Sequence, residues 1–191
     1  MRLLRSINRA ARRARGALRD RSGSAAVEFS LVALPFLGLM MSTFEVGWFY
    51  FAASQVDAAT VTTARLVRTG QVQKADFDKA EFFGEVCPHL RAFGDCDETL
   101  TVEVTVFNSF AALAADTAPV VCANDDPAKI AALAFQPGTD NSIVRLRVCL
   151  LYKTLNPTIG VNVAETADGK RRVFSSFIFQ NEPYSRNNRT S

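Results

Sequence analysis

Residues 21–41 read "RSGSAAVEFSLVALPFLGLMM", and this stretch decides how the chain is built. An arginine-rich leader stops at a Ser-Gly-Ser step, and an almost purely apolar run comes directly after it. An α-helix of about 20 predominantly apolar residues crosses a bilayer. Residues 29–44 contain no charged side chain, and the apolar character resumes past Glu45 in "VGWFYFAA". A single carboxylate, Glu28, stands in the first turns of that helix. A charge inside a span costs about 3 kcal/mol on insertion scales, so it persists where it has a partner or a task.

The charge balance on either side agrees with a span. Residues 1–23 carry eight arginines against Asp20 alone, a net +7, while the rest of the 191-residue chain has 14 basic and 18 acidic residues. A basic segment beside an apolar stretch keeps the N-terminus cytoplasmic and sends the C-terminal remainder of the chain across the membrane. The run is too long for the h-region of a secretory signal, and no A-x-A cleavage site closes it. A mitochondrial transit peptide matches the arginine content but leaves Gly23 and Glu28 without a reason.

The helical pattern outlasts the membrane. Trp48 and Tyr50 read as an interfacial belt, and Val56, Ala59, Thr60, Thr63, Leu66 and Val67 keep a helical period up to a stop at Gly70. A helix over residues 24–69 is roughly 70 Å long. Pro35 predicts a kink or local melting. Glu45, one turn inside the belt, reads as an interfacial acid reaching the outer surface.

Residues 70–184 predict a separate α+β domain. In "ADFDKAEFFGEVC" a short helix places Phe77, Ala80, Phe83 and Cys87 on one side. "TLTVEVTVF" alternates Leu100, Val102, Val104 and Val106 against Thr101, Glu103 and Thr105, the pattern of a half-buried strand. "SIVRLRVCLLY" sets Val144, Leu146, Val148 and Leu150 inward, with Arg145 and Arg147 outward on a solvated face, and "RRVFSSFIF" is a third strand. Asp126 with Pro127 after it opens a short helix, Asp168-Gly169 marks a turn, and residues 185–191 read as a disordered tail.

Cys87, Cys96, Cys122 and Cys149 all lie beyond the apolar helix. An even count in an exported region points to two disulfides; of the three possible connectivities, Cys87–Cys96 with Cys122–Cys149 is favoured. "CPHLRAFGDC" lacks standard zinc-ligand spacing, and His89 is the only histidine, so no metal or cofactor is expected. No nucleophile elbow or phosphate-binding glycine loop occurs, and the chain does not read as an enzyme. Asp95, Asp97, Asp125 and Asp126 read as loop acids for capping and solvation. The leader arginines are explained by topology rather than by nucleic acid.

The order "basic leader, Gly23, SAAV, Glu28, Phe29, apolar helix" resembles the cleavage region of type IV prepilins. That resemblance implies cutting by a membrane-embedded prepilin peptidase between Gly23 and Ser24, with Glu28 becoming the fifth residue of the mature chain. Phe29 stands where the Flp branch has tyrosine. A glycine before the scissile bond offers an extended backbone with no side chain. In an assembled filament, the free amine of a neighbouring subunit is then expected to pair with Glu28, fixing register.

Together with "ARLVRTGQ" after the helix and "FSSFIFQNEPY" near the end, the sequence is similar to TadE-type proteins, the pseudopilins of Tad/Flp pilus systems. The resemblance implies a minor pilin-like subunit of the bacterial inner membrane, with a periplasmic domain and possible incorporation in an extracellular adhesive pilus. Its implied partners are other pilins and pseudopilins, the prepilin peptidase, the inner-membrane assembly platform and membrane lipid. The small residues Ala25, Ala26, Ala33, Gly38, Ser42 and Gly47 permit close helix approach. TadF-type proteins and type II secretion pseudopilins are neighbouring readings. An uncleaved single-span periplasmic scaffold or binding protein of a secretion complex is the alternative from another class.

Overall fold

The computed structural model describes residues 23–155 and 161–184. The expected basic leader, apart from Gly23, and the expected tail over 185–191 lie outside the described residues. The architecture is α+β: one long helix, a three-stranded antiparallel sheet and several short helices.

Helix α1, Ser24–Arg68, is 45 residues long and continues unbroken through Pro35, so the local melting expected there does not occur. It ends where the chain turns left-handed at Gly70, with φ +74°, and Arg65 and Arg68 in its last turn complement the negative end of the helix dipole. Its two halves differ in surroundings. Val27, Phe29, Leu31, Val32, Leu34, Phe36 and Leu39 are exposed. From Ala52 onward a stripe of Val56, Ala59, Thr60, Thr63, Ala64 and Val67 is buried. The Thr60 and Thr63 hydroxyls donate to the carbonyls of Val56 and Ala59, which lets polar side chains share that stripe.

Helix α2, Gln71–Lys74, turns the chain back, and α3, Lys79–Val86, opens on a capping box between Asp78 and Glu81. Of the expected apolar side, Phe77, Phe83 and Cys87 pack against the core from its edge, and Ala80 does not. Phe82 and Val86 are its buried residues, whereas Ala80 is exposed and Phe77 and Phe83 are half-buried. The capping box fixes the start at Lys79, and Phe82 and Val86 are the residues set deepest in the core.

Two single 3-10 turns lead to α4, Cys96–Thr99, and then to strand β1, Leu100–Phe107. Helices α5, Phe110–Ala115, and α6, Pro127–Ala131, come next, opened by Ser109 and Asp126. Strand β2, Ile143–Lys153, is central, and β3, Lys170–Gln180, pairs with it on the far side. Val102 faces Val148, Val104 faces Leu146, and Leu146 faces Phe177 across the sheet. The inward set Leu100, Val102, Val104, Val144, Leu146, Val148 and Leu150 forms one core with the C-terminal half of α1, Phe82, Val86 and Phe179.

The opposite sheet face is not the solvated surface that the alternation predicts. Arg145 and Arg147 are 7% and 5% exposed. A strap over residues 116–122 covers them: Arg145 Nη2 lies 2.6 Å from Asp116 Oδ2, and Arg147 donates to the carbonyls of Ala118 and Pro119 and pairs with Glu103. Thr101 is also buried there, its hydroxyl donating to Val121 O. Lys170, Arg171 and Arg172 are likewise held: Lys170 pairs with Asp168, Arg171 stacks over Phe49, and Arg172 reaches Asp125 at 3.2 Å. Asp125 therefore ties the strap to β3 and also accepts from Cys122 N, beyond the capping role expected of it.

Candidate functional site

The candidate site begins at the start of α1. Gly23 is the residue before the helix, in an ordinary right-handed conformation with φ −86°. A Cβ placed on it meets nothing among the described residues. Neither backbone strain nor packing among the described residues explains a glycine there. Ser24 opens the helix, and its hydroxyl donates to Glu28 Oε1 at 2.9 Å, one turn along. Glu28 and Phe29 are both exposed, Phe29 by 75%. The carboxylate thus lies beside the position that becomes an α-amino group if the Gly23–Ser24 bond is cut.

The apolar surface continues from there without cover. The most apolar window of α1 has none of its residues buried within the chain. By length and composition this helix is able to cross a membrane.

A junction lies at residues 42–49, where the sheet meets the helix. Trp48 Nε1 donates to Lys153 O at 3.4 Å, and Val161 N donates to Ser42 Oγ at 3.0 Å. Glu45 lies between these contacts and is 1% exposed. The interfacial acid expected from the sequence is corrected accordingly: the domain folds over this carboxylate instead of leaving it to reach for water. Tyr152 is fully buried next to it. Loss of water pushes the Tyr152 phenol up to about 12; the nearby Arg171 opposes that rise, and Glu45 and Glu165 add to it.

The far end of α1 is locked by the chain's closing segment. Glu182 N donates to Arg68 O at 2.9 Å, and the two side chains pair at 3.1 Å. Asn181 is buried, its amide donating to the carbonyls of Pro137 and Thr139. The Tyr184 ring lies directly over Gly70. "RLVRTG" and "QNEPY", singled out separately in the sequence, are two sides of one contact.

Two disulfides, Cys87–Cys96 and Cys122–Cys149, staple the sheet unit. The first closes a loop of the α3–α4 region. The second pins the strap to central strand β2. Among the described residues no group of three or more His, Cys, Asp or Glu is placed to hold a metal ion. His89 is exposed, and the cysteines on either side of it are bonded to each other.

The parts define a class: a long helix with a bare apolar half, its other half built into a disulfide-stapled α+β unit, and a Gly23–Glu28 spacing at the helix start. The comparison with known families then specifies it. The TadE-like protein family model matches residues 23–65, beginning at Gly23 and ending four residues short of Thr69. Residues 23–65 are thus similar to TadE-like proteins, and the similarity covers the long helix and not the sheet unit. No curated protein and no solved structure matches the chain.

Gly23, Ser24, Glu28 and Phe29 thus fall together in one helical start, while the cysteines form two separate staples far from it. The burial of Glu45 and the Arg145–Asp116–Arg147 cluster lies beyond sequence patterning. In both cases the covering segment is distant in sequence and has no periodic signal of its own.

Proposed function

We propose that this protein is a minor pilin-like subunit of a Tad/Flp pilus system. It enters the inner membrane through α1 with its α+β unit in the periplasm, and a prepilin peptidase cuts it between Gly23 and Ser24. The carrying observation is the helix start: an unconstrained glycine directly before Ser24, with Glu28 one turn on, inside the segment that the TadE-like family matches. After cleavage, the new amine of Ser24 and the Glu28 carboxylate stand on one face of the helix, one turn apart. In a bundle of such helices, pairing between the amine of one subunit and the Glu28 of the next fixes axial register, because a buried charge left alone costs about 3–5 kcal/mol.

The apolar half of α1 serves twice in this account, first against lipid and then against other pilin and pseudopilin helices at the assembly platform. Small residues at Ala33, Gly38, Ser42 and Gly47 let those helices approach closely. The subunit primes, caps or joins a pilus used in surface adhesion.

Coexpression with a Tad-system prepilin peptidase tests the processing step. The wild-type chain is expected to shorten by its leader, and Gly23→Leu, which puts a bulky side chain before the scissile bond, is expected to remain full length. A wild-type chain left intact by an active peptidase supports an uncleaved single-span scaffold instead.

A further inference from the structure

We propose that the flanks of the β2–β3 connection form a second membrane contact, in which Leu155 and Val161 enter the outer leaflet beside α1 and Lys153 meets the headgroups. This rests on reading α1 as a membrane span, and it concerns a surface outside that helix.

The geometry is a ladder down the helix. Lys153 O is held by Trp48, the aromatic residue of the interfacial belt. Val161 N is held by the Ser42 hydroxyl, which itself donates to Gly38 O. Six residues separate Trp48 from Ser42, about 9 Å along the helix axis. The backbone at Val161 therefore lies deeper along the helix than the backbone at Lys153, beside the stretch of α1 that carries no charge between residues 29 and 44.

The side chains match the polarity profile of that descent. Lys153, at the Trp48 level, is exposed and makes no ion pair among the described residues, leaving its ammonium for lipid phosphate. Leu155, two residues past Lys153, and Val161, whose backbone is held at the Ser42 level, are 57% and 50% exposed. Exposed aliphatic side chains at that depth face hydrocarbon, continuous with Met41 and Phe44 of the helix, which are also exposed. Burial of Glu45 in the same zone fits this placement: the domain covers a carboxylate that otherwise meets lipid. The contact fixes the tilt of the α+β unit on the membrane, since the unit then touches the bilayer at two places.

All four cysteines are paired, so a single introduced cysteine is the reactive thiol of the oxidised full chain. Val161→Cys and, separately, Leu155→Cys are labelled with an environment-sensitive fluorophore and reconstituted in phosphatidylethanolamine/phosphatidylglycerol vesicles. Some vesicles contain lipid with a nitroxide near the top of the acyl chain. Leu34→Cys reports the span, and Ile178→Cys, on exposed β3, reports solvent. The expected result is roughly twofold or greater loss of emission at 155, 161 and 34, with little change at 178. If 34 is quenched while 155 and 161 behave like 178, the lipid contact is wrong and the span stands. If 34 itself is unquenched, the span reading fails and this inference falls with it.

Discussion

Gly70 lies beneath the ring of Tyr184, so close that a Cβ at Gly70 would collide with the ring carbons, and its backbone is left-handed at φ +74°. One glycine thus meets two demands, ending α1 and admitting the closing aromatic residue. The Arg68–Glu182 pair and the Asn181 amide secure the same junction from either side. It holds the α1 terminus to the sheet, and so sets the direction in which the bare helix leaves the domain.

Gly70→Ala is expected to destabilise the protein by about 2–4 kcal/mol, combining left-handed strain with the collision. Tyr184→Ala in the same chain should recover part of that loss, because the collision with the ring goes while the contact with the Cβ of residue 184 and the left-handed strain stay. Urea unfolding of the detergent-solubilised protein, monitored by circular dichroism, measures both. Equal stability of Gly70→Ala and wild type contradicts the lock.

The two disulfides should differ in weight. In the chain-entropy account, the 27-residue separation of Cys122 and Cys149 stabilises by about 3.5 kcal/mol, and the 9-residue separation of Cys87 and Cys96 by about 2.6 kcal/mol. Replacing Cys122 and Cys149 by alanine should therefore lower the urea midpoint more than replacing Cys87 and Cys96. It should also loosen the strap over Arg145 and Arg147, visible as faster amide exchange across residues 116–122. The reverse order of midpoints contradicts this.

Asp116 is the shared partner of two nearly buried guanidinium groups. Asp116→Ala removes the acid paired with Arg145 and one of the two beside Arg147, which keeps Glu103 at 3.4 Å; a loss of about 2–3 kcal/mol is expected, below the full cost of a buried orphan because Asp116 is partly exposed. Asp125→Ala, which breaks the more exposed pair with Arg172, should cost about 1 kcal/mol or less through that pair. Any further loss comes from its bond to Cys122 N. Similar effects for the two would show that burial of Arg145 and Arg147 does not matter.

The Tyr152 phenol is held up to about 12 by burial, against an ordinary value near 10. A raised folded-state pKa gives stability that is fully present below pH 10 and is lost as the pH rises toward 12. Alkaline unfolding is therefore expected in that window, with a phenolate absorbance step accompanying the loss of circular dichroism. The Tyr152 hydroxyl has no hydrogen-bond partner among the described residues. Tyr152→Phe should accordingly leave stability at pH 7 unchanged or raise it by up to about 1 kcal/mol, and should shift the alkaline midpoint upward. A large loss at neutral pH would contradict the burial argument.

The sequence made the helix and the three strands readable because each carries its own period. Leu100 through Val106 alternate, Val56 through Val67 repeat at helical spacing, and Gly70 stops the helix where a left-handed residue is needed. The start of the candidate site was readable for the same reason, since Gly23 and Glu28 are separated by a fixed local distance. Cover is the property that local pattern does not carry. Arg145 and Arg147 alternate outward like solvated residues, yet the strap from Asp116 to Cys122 lies over them. Glu45 resembles an interfacial acid until the backbones of Lys153 and Val161 are laid against Trp48 and Ser42. Around α3 the expected Phe77, Phe83 and Cys87 do touch the core, but Phe82 and Val86 are the ones it buries.

The intact mass of the protein purified from its native host's membranes, without reductant, tests the central claim most directly. The account predicts a chain of residues 24–191, with or without an N-methyl group on Ser24, lighter by the four thiol hydrogens of Cys87, Cys96, Cys122 and Cys149. A mature chain that still begins at Met1 would contradict it: Glu28 would then serve as an acid at the membrane surface, with no new amine to meet.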